Sequence, residues 1–153
     1  QWGKLLLNLN NPVNALSGLP LRDELLQRGY RRCFAALIDE ALAVLGQAGI
    51  APAQVAAVPA QRLSAVLRLP DWLFRMVAAR MLRIDAKARS SMADDLALGR
   101  RTEIDALSGE VMRLARNHDL EAPRNARISE LLEDWPREPR RWTARQLQDA
   151  LGL

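Results

Sequence analysis

Little in this 153-residue chain can build a covalent or metal-held scaffold, because it has one cysteine, Cys33, and one histidine, His118. A disulfide framework within the chain is excluded, and zinc spacings made of paired Cys and His cannot be assembled from one of each. Cys33 sits beside Phe34 in an amphipathic pattern, which points to a reduced compartment or to plain core packing, and a cytoplasmic setting is expected. Arg or Asp interrupts the longest apolar runs, so no membrane-spanning helix is expected. Threonine occurs only at 102 and 143, aromatic residues are 5% of the chain, and no run alternates apolar and polar residues between turn signals; strands are not expected. The eight glycines never form a strand-flanked GxGxxG, and Gly46-Gln47-Ala48-Gly49 ends a helix instead of opening one, so a dinucleotide fingerprint is absent. Lysine is scarce as well: Lys4 and Lys87 stand against twenty arginines among the 22 basic side chains.

What is present is helical periodicity in a chain that is 49% apolar, of a length suited to one domain. The pattern predicts an all-α fold. A first helix runs over Trp2 to Ser17, ended by Gly18 and Pro20, and a second begins over Asp23 to Gln27. Tyr30 to Gln47 places Phe34, Leu37, Ile38, Ala41 and Leu45 on one face. Ala51 to Pro59 reads as a connector, followed by helices over Ala60 to Arg68 and Pro70 to Arg83. Ser90 to Gly99, Thr102 to Asn117, Pro123 to Asp134 and Thr143 to Leu151 complete the series, and Glu133 to Leu153 reads as a packing element. The net charge is +4, and the arginines alternate with acids except over Pro136 to Arg145, where several concentrate. Without a recognition-helix pattern, nucleic acid is not an expected partner. The opening Gln1-Trp2-Gly3-Lys4 lacks an initiator Met and a signal-peptide pattern, and reads as a chain cut from something longer.

Two stretches carry candidate chemistry. Lys4, Asn8 and Asn11 fall on one narrow stripe of an otherwise apolar first helix. Buried without partners, such groups cost roughly 1–3 kcal/mol each, so they line a cleft, meet other polar groups or reach solvent. Pro12 cannot donate to the carbonyl of Asn8, which requires a kink or a restart. The alternative is that Asn11 caps a second helix with Pro12 at its first position, and that Lys4 is solvated. The second stretch contains two apparent helix starts, Ser91 with Asp94 and Thr102 with Asp105, each placing an acid at the positive end of the helix dipole. A helix start with a free hydroxyl also suits a substrate carboxylate, and Glu103 suits a charge-assisted bond to the Lys4 ammonium. Gly109 inside a helix suggests close approach of another helix or of ligand. His118, near a helix C-terminus, reads as a partner of the dipole.

Trp2-Gly3-Lys4-Leu5-Leu6-Leu7-Asn8, Asn11-Pro12, Ser90-Ser91-Met92, Asp95, Arg101-Thr102-Glu103-Ile104-Asp105, Gly109 and Pro123-Arg124-Asn125 occur in an order that resembles the C-terminal helical domain of the ketopantoate reductase family. The resemblance implies an all-helical domain similar to that of 6-phosphogluconate dehydrogenase, working with an N-terminal Rossmann domain of the same protein, absent from this chain. Family members reduce 2-dehydropantoate to pantoate with NADPH in coenzyme A biosynthesis, and their substrate lies between the two domains. By the same resemblance Lys4 is the general acid, Asn8 contacts the substrate, Ser91 meets its carboxylate end and Glu103 acts with the lysine or substrate. Asn11 precedes Pro12 but follows Asn8 by three residues where the family has four, which leaves its substrate-binding role open, with Asn14 as a substitute. Ser108 stands where the family has Asn. NADPH would be held mainly by the Rossmann domain; no metal is implied, and a homodimer is a further partner. Two rivals stand beside this: a reductase of another 2-oxo acid on the same scaffold, and a non-catalytic helical module that dimerises or binds a partner.

Overall fold

The computed structural model describes residues 1–54 and 56–153. Its described residues form ten helices and no strand, so the all-α expectation is borne out. In chain order they are α1 (Trp2–Asn8), α2 (Asn10–Ser17), α3 (Leu21–Leu25), α4 (Arg28–Gln47), α5 (Ala60–Leu67), α6 (Asp71–Val77), α7 (Ser91–Ala97), α8 (Ile104–Asn117), α9 (Pro123–Asp134) and α10 (Ala144–Ala150). The expected connector over Ala51 to Pro59 contains residue 55, which lies outside the described residues; the rest of it is irregular.

Helix α4 is the axis of the molecule. Its 20 residues bury Tyr30, Cys33, Phe34, Leu37, Ile38, Ala41, Val44 and Leu45, and α5, α10, α8, α9, α3 and α2 all pack around it. Each such apolar side chain contributes roughly 1.5–3 kcal/mol on burial. Cys33 is part of this core, and burial pushes its thiol up to about 12, which keeps it protonated and inert. At Gly29 a Cβ would lie 2.7 Å from the Cβ of Ala144, so α4 and α10 meet there at a distance that glycine alone permits.

Four boundaries differ from expectation for physical reasons. The first helix divides after Asn8: Leu9 closes α1 and Asn10 opens α2, so Asn11 is not a cap and Pro12 is the third residue of α2. The break falls where Pro12 denies the Asn8 carbonyl a donor. The segment expected over Pro70 to Arg83 is helical only to Val77, after which turns carry Ala78 and Leu82 back into the core. At the start of α7 the cap is Ser90, whose hydroxyl accepts from the Ala93 amide at 3.1 Å; Ser91 is the first helical residue. Thr102 does not cap α8 either, since Glu103 occupies the cap position and makes no side-chain cap bond. The last start is as expected, with Thr143 and Gln146 forming a reciprocal capping box.

Buried polar groups hold the layers together. The Arg31 side chain is fully buried and donates to the carbonyls of Leu25, Leu67 and Leu69 at 2.9, 2.7 and 2.7 Å for the Leu67, Leu25 and Leu69 bonds, with Asp71 Oδ1 at 2.9 Å. Its guanidinium lies 4.1 Å from the centroid of Phe74. Glu40 caps α9 from α4, accepting from the amides of Arg124 and Asn125 at 3.0 and 2.8 Å and from Asn125 Nδ2 at 2.8 Å. The Pro123-Arg124-Asn125 motif is therefore a helix start with its carboxylate supplied in trans.

Glu24 is fully buried beside Asn10, whose Nδ2 donates to Oε2 at 3.4 Å, while Glu24 Oε1 and Asn10 Oδ1 have no partner. Burial raises the Glu24 carboxyl from 4.5 to about 8 against the opposing influence of Asn10 and Arg31. A protonated carboxyl is the form that brings a donor to this pair.

Two outcomes follow. Arg31→Met should cost about 3–5 kcal/mol, because three buried carbonyls lose their donor at once; the midpoint of urea unfolding measures it. Glu24 ionises in the unfolded chain above pH about 4.5 but in the folded chain near pH about 8. Its contribution is thus complete at low pH and lost as pH rises through that window. Glu24→Gln should abolish this slope, so that unfolding curves of the two proteins agree in acid and separate in favour of the variant above neutrality.

Candidate functional site

Helix spacing puts Lys4 and Asn8, four residues apart, on one face of α1. That face forms one wall of a cavity of about 490 Å³, with Gln1, Trp2 and Leu5 beside them. The opposite wall is α8, through Ala106, Leu107 and Glu110. Lys4 is exposed and Asn8 half-buried, and Lys4 makes no ion pair among the described residues. An unpaired ammonium, two amides and a carboxylate on a largely apolar lining make a site for a small polar molecule carrying a carbonyl or carboxylate. The stripe therefore lines a cleft along its first two members.

The other expected residues lie outside the lining of this cavity. Glu103 is exposed at the cap position of α8, seven residues before Glu110 and so on nearly the same stripe of that helix two turns away. The carboxylate that reaches the lysine's cavity is Glu110, which also pairs with Arg113. Sequence reasoning passed over Glu110, although its spacing from Glu103 was the available signal.

Ser91 is exposed at the first position of α7, and that helix start is tied to α2. Asn14 Oδ1 accepts from the Ser90 amide at 3.0 Å, and the Ser90 hydroxyl meets the Asn11 carbonyl at 3.4 Å. The α7 start thus abuts the backbone of the half-buried Asn11. Asn14 itself is fully buried, with its amide nitrogen donating to the Leu19 carbonyl at 3.0 Å, so both ends of its side chain are committed to structure. That removes it as a substitute for Asn11.

Gly109 does not mark an approach of another helix: a Cβ there would first meet Asp105 and Arg113 of α8 itself. Ser108 is fully buried and its hydroxyl has no partner. His118 closes α8 at its C-terminal end and is exposed. Among the described residues no group of three His, Cys, Asp or Glu is arranged to hold a metal, and no helix is long and apolar enough to cross a membrane.

Residues 1–135 match the family model described as ketopantoate reductase PanE/ApbA C terminal. A 2-dehydropantoate 2-reductase of Yersinia pestis is 42% identical to the chain over 53 residues, a stretch that is 35% of this chain and 18% of that protein. No solved structure matches the chain.

The two adjacent serines separate in experiment. Ser90→Ala should lower stability by about 1 kcal/mol through loss of the cap, whereas Ser91→Ala should leave the melting midpoint unchanged. A loss in Ser91→Ala without one in Ser90→Ala would place the cap on Ser91.

Proposed function

The chain belongs to the ketopantoate reductase C-terminal family, and we propose that it is the substrate-binding, proton-donating domain of a 2-dehydropantoate 2-reductase. The observation that carries the reading is the pairing of Lys4 with Asn8 on the wall of the α1–α8 cavity. In this reading the keto oxygen of the substrate sits against the Lys4 ammonium and the Asn8 amide. Reduction places negative charge on that oxygen. The Lys4 ammonium stabilises it and then transfers one proton from Nζ, leaving a neutral amine and a hydroxyl. Ser91 and Asn11, which meet at the junction of α7 with α2, are assigned to the carboxylate end of the substrate in this proposal. Glu103, at the cap of α8, is assigned to act with the lysine or substrate, and Glu110, on the cavity wall, is a second acid available for that role.

The nicotinamide cofactor, when bound, supplies the hydride. No residue of this chain is assigned to hold it: the sequence has no glycine-rich fingerprint, and the described residues include no strand from which one would spring. We assign NADPH to an N-terminal Rossmann domain of the same protein, with the active site assembled between the two. A cytoplasmic setting and a place in coenzyme A biosynthesis belong to the same proposal.

A second reading, reduction of another 2-oxo acid, is favoured by the short Asn8–Asn11 spacing and by Glu110 in the cavity. Both alter the shape and charge of the site while leaving the lysine chemistry intact.

In the intact reductase, Lys4→Ala should lower turnover by roughly a hundred- to ten-thousand-fold, the usual consequence of losing a general acid. Lys4 is exposed, so the folded state should be unaffected. Near-normal turnover by this variant would remove the assignment. Comparing 2-dehydropantoate with smaller 2-oxo acids as substrates of the intact enzyme decides between the two readings.

A further inference from the structure

The arginine concentration near the C-terminus is not used by the Lys4 cavity, and the fold gives it a separate site. A second cavity, of about 340 Å³, lies between α2, α7 and the segment after α9. Its lining shares no residue with the α1–α8 cavity. Ala15, Gly18, Ala93 and Ala97 make a floor of small residues, and Arg89, Arg140, Arg141 and Trp135 rise around it. No carboxylate is among the lining residues.

Two features separate this cluster from a solvated run of charge. First, Arg89, Arg140 and Arg141 pair with no carboxylate among the described residues; nearby Asp134 is engaged with Arg137. Second, Arg140, Arg141 and Trp135 are held in place. The Arg140 guanidinium lies 3.7 Å from the centroid of the Trp142 ring. The stem of Arg141 runs over Gly18 so closely that a Cβ there would lie 2.8 Å from its Cγ and Nε. Trp135 is fixed by its indole N–H, which donates to the Arg140 carbonyl at 3.2 Å. Three guanidiniums with no counter-charge, two of them positioned, match the oxygens of a phosphate, which accepts several N–H donors at once. The half-buried Trp135 ring beside them offers a face on which a planar ring stacks. The cavity is of ligand size, larger than a bare ion requires.

We propose that this pocket binds a small phosphorylated molecule with a planar ring, of the size of a nucleoside monophosphate. The phosphate meets Arg89, Arg140 and Arg141, and the ring lies against Trp135. The proposal is independent of the reductase reading, because it rests on residues that reading does not use.

AMP, adenosine and inorganic phosphate, titrated separately into the 153-residue chain and followed by calorimetry and indole emission, test it. AMP should bind at least roughly ten-fold more tightly than either adenosine or phosphate, since the two halves of the pocket are both filled. Arg89→Gln, an exposed position, should weaken AMP by roughly ten-fold, and Arg89→Gln with Arg141→Gln by roughly a hundred-fold, with the circular dichroism spectrum unchanged. Equal binding of AMP and adenosine, absence of AMP binding, or AMP binding lost in Lys4→Ala and retained in the arginine variants would overturn the proposal. So would salt-sensitive binding of an RNA oligomer without binding of AMP, because that would make the arginines a nonspecific basic surface.

Discussion

A guanidinium sealed inside the molecule sets the terms for the first half of the fold. Arg31 projects from α4, and its donors are consumed by carbonyls at the end of α3 and the end of α5 and by the carboxylate that opens α6. Helix ends present unpaired carbonyls, and burying them without donors would cost several kcal/mol in total. One side chain with a rigid fork of N–H groups answers three of them. That solution is rigid in direction, so α3, α5 and α6 are fixed relative to α4 by hydrogen-bond geometry as well as by apolar contact. It also places a cation near Glu24, whose burial nevertheless wins, leaving the carboxyl raised to about 8. A buried acid that is neutral in the folded state at moderate pH avoids the penalty of an uncompensated anion in this interior.

The second half of the fold is joined to the first in the same way, with amides in place of a guanidinium. Asn14 holds the turn after α2 with its nitrogen and the start of α7 with its oxygen. Glu40 holds the start of α9. Each is a single side chain that caps backbone groups of a segment distant in sequence. The α1–α2 segment, with α7 locked to it and α8 facing it, thereby becomes a fixed wall on which Lys4 and Asn8 stand. Precision at such a wall matters to the proposed proton transfer, since a donor must lie within hydrogen-bond reach of the developing oxyanion.

The helices themselves were legible in the sequence wherever apolar spacing and end signals agree. The face of α4, the spans of α8 and α9, the helix start at Thr143 and the packing role of the last segment all follow from residues within one or two turns. The parts that were not legible depend on partners far along the chain. Ser90 and Ser91 have equal intrinsic ability to cap; Asn14 selects Ser90 by binding its amide, and no local pattern encodes that choice. The burial of Arg31 and Glu24 was equally hidden, because charged residues in an amphipathic run read as solvent-facing until the carbonyls from Leu67 and Leu69 are brought to them. For the candidate site, the Lys4–Asn8 pairing came from helical spacing alone, while Glu110 entered the cavity through the rotation of α8, which is set by packing against α9 and α4.

The distribution of cations follows the chemistry asked of them. Arginine supplies twenty of the 22 basic side chains, and in this fold it binds carbonyls, aromatic rings and carboxylates without ever needing to release a proton. Its guanidinium stays protonated in proteins, so it serves as a fixed charge and a multiple donor. A residue that must give up a proton to a new alkoxide cannot be arginine. At the cavity between α1 and α8 the cation is one of the two lysines, with no carboxylate drawn onto its ammonium. In a chain so strongly biased toward arginine, an ammonium at that position is the choice that the proposed proton transfer to a substrate oxygen requires.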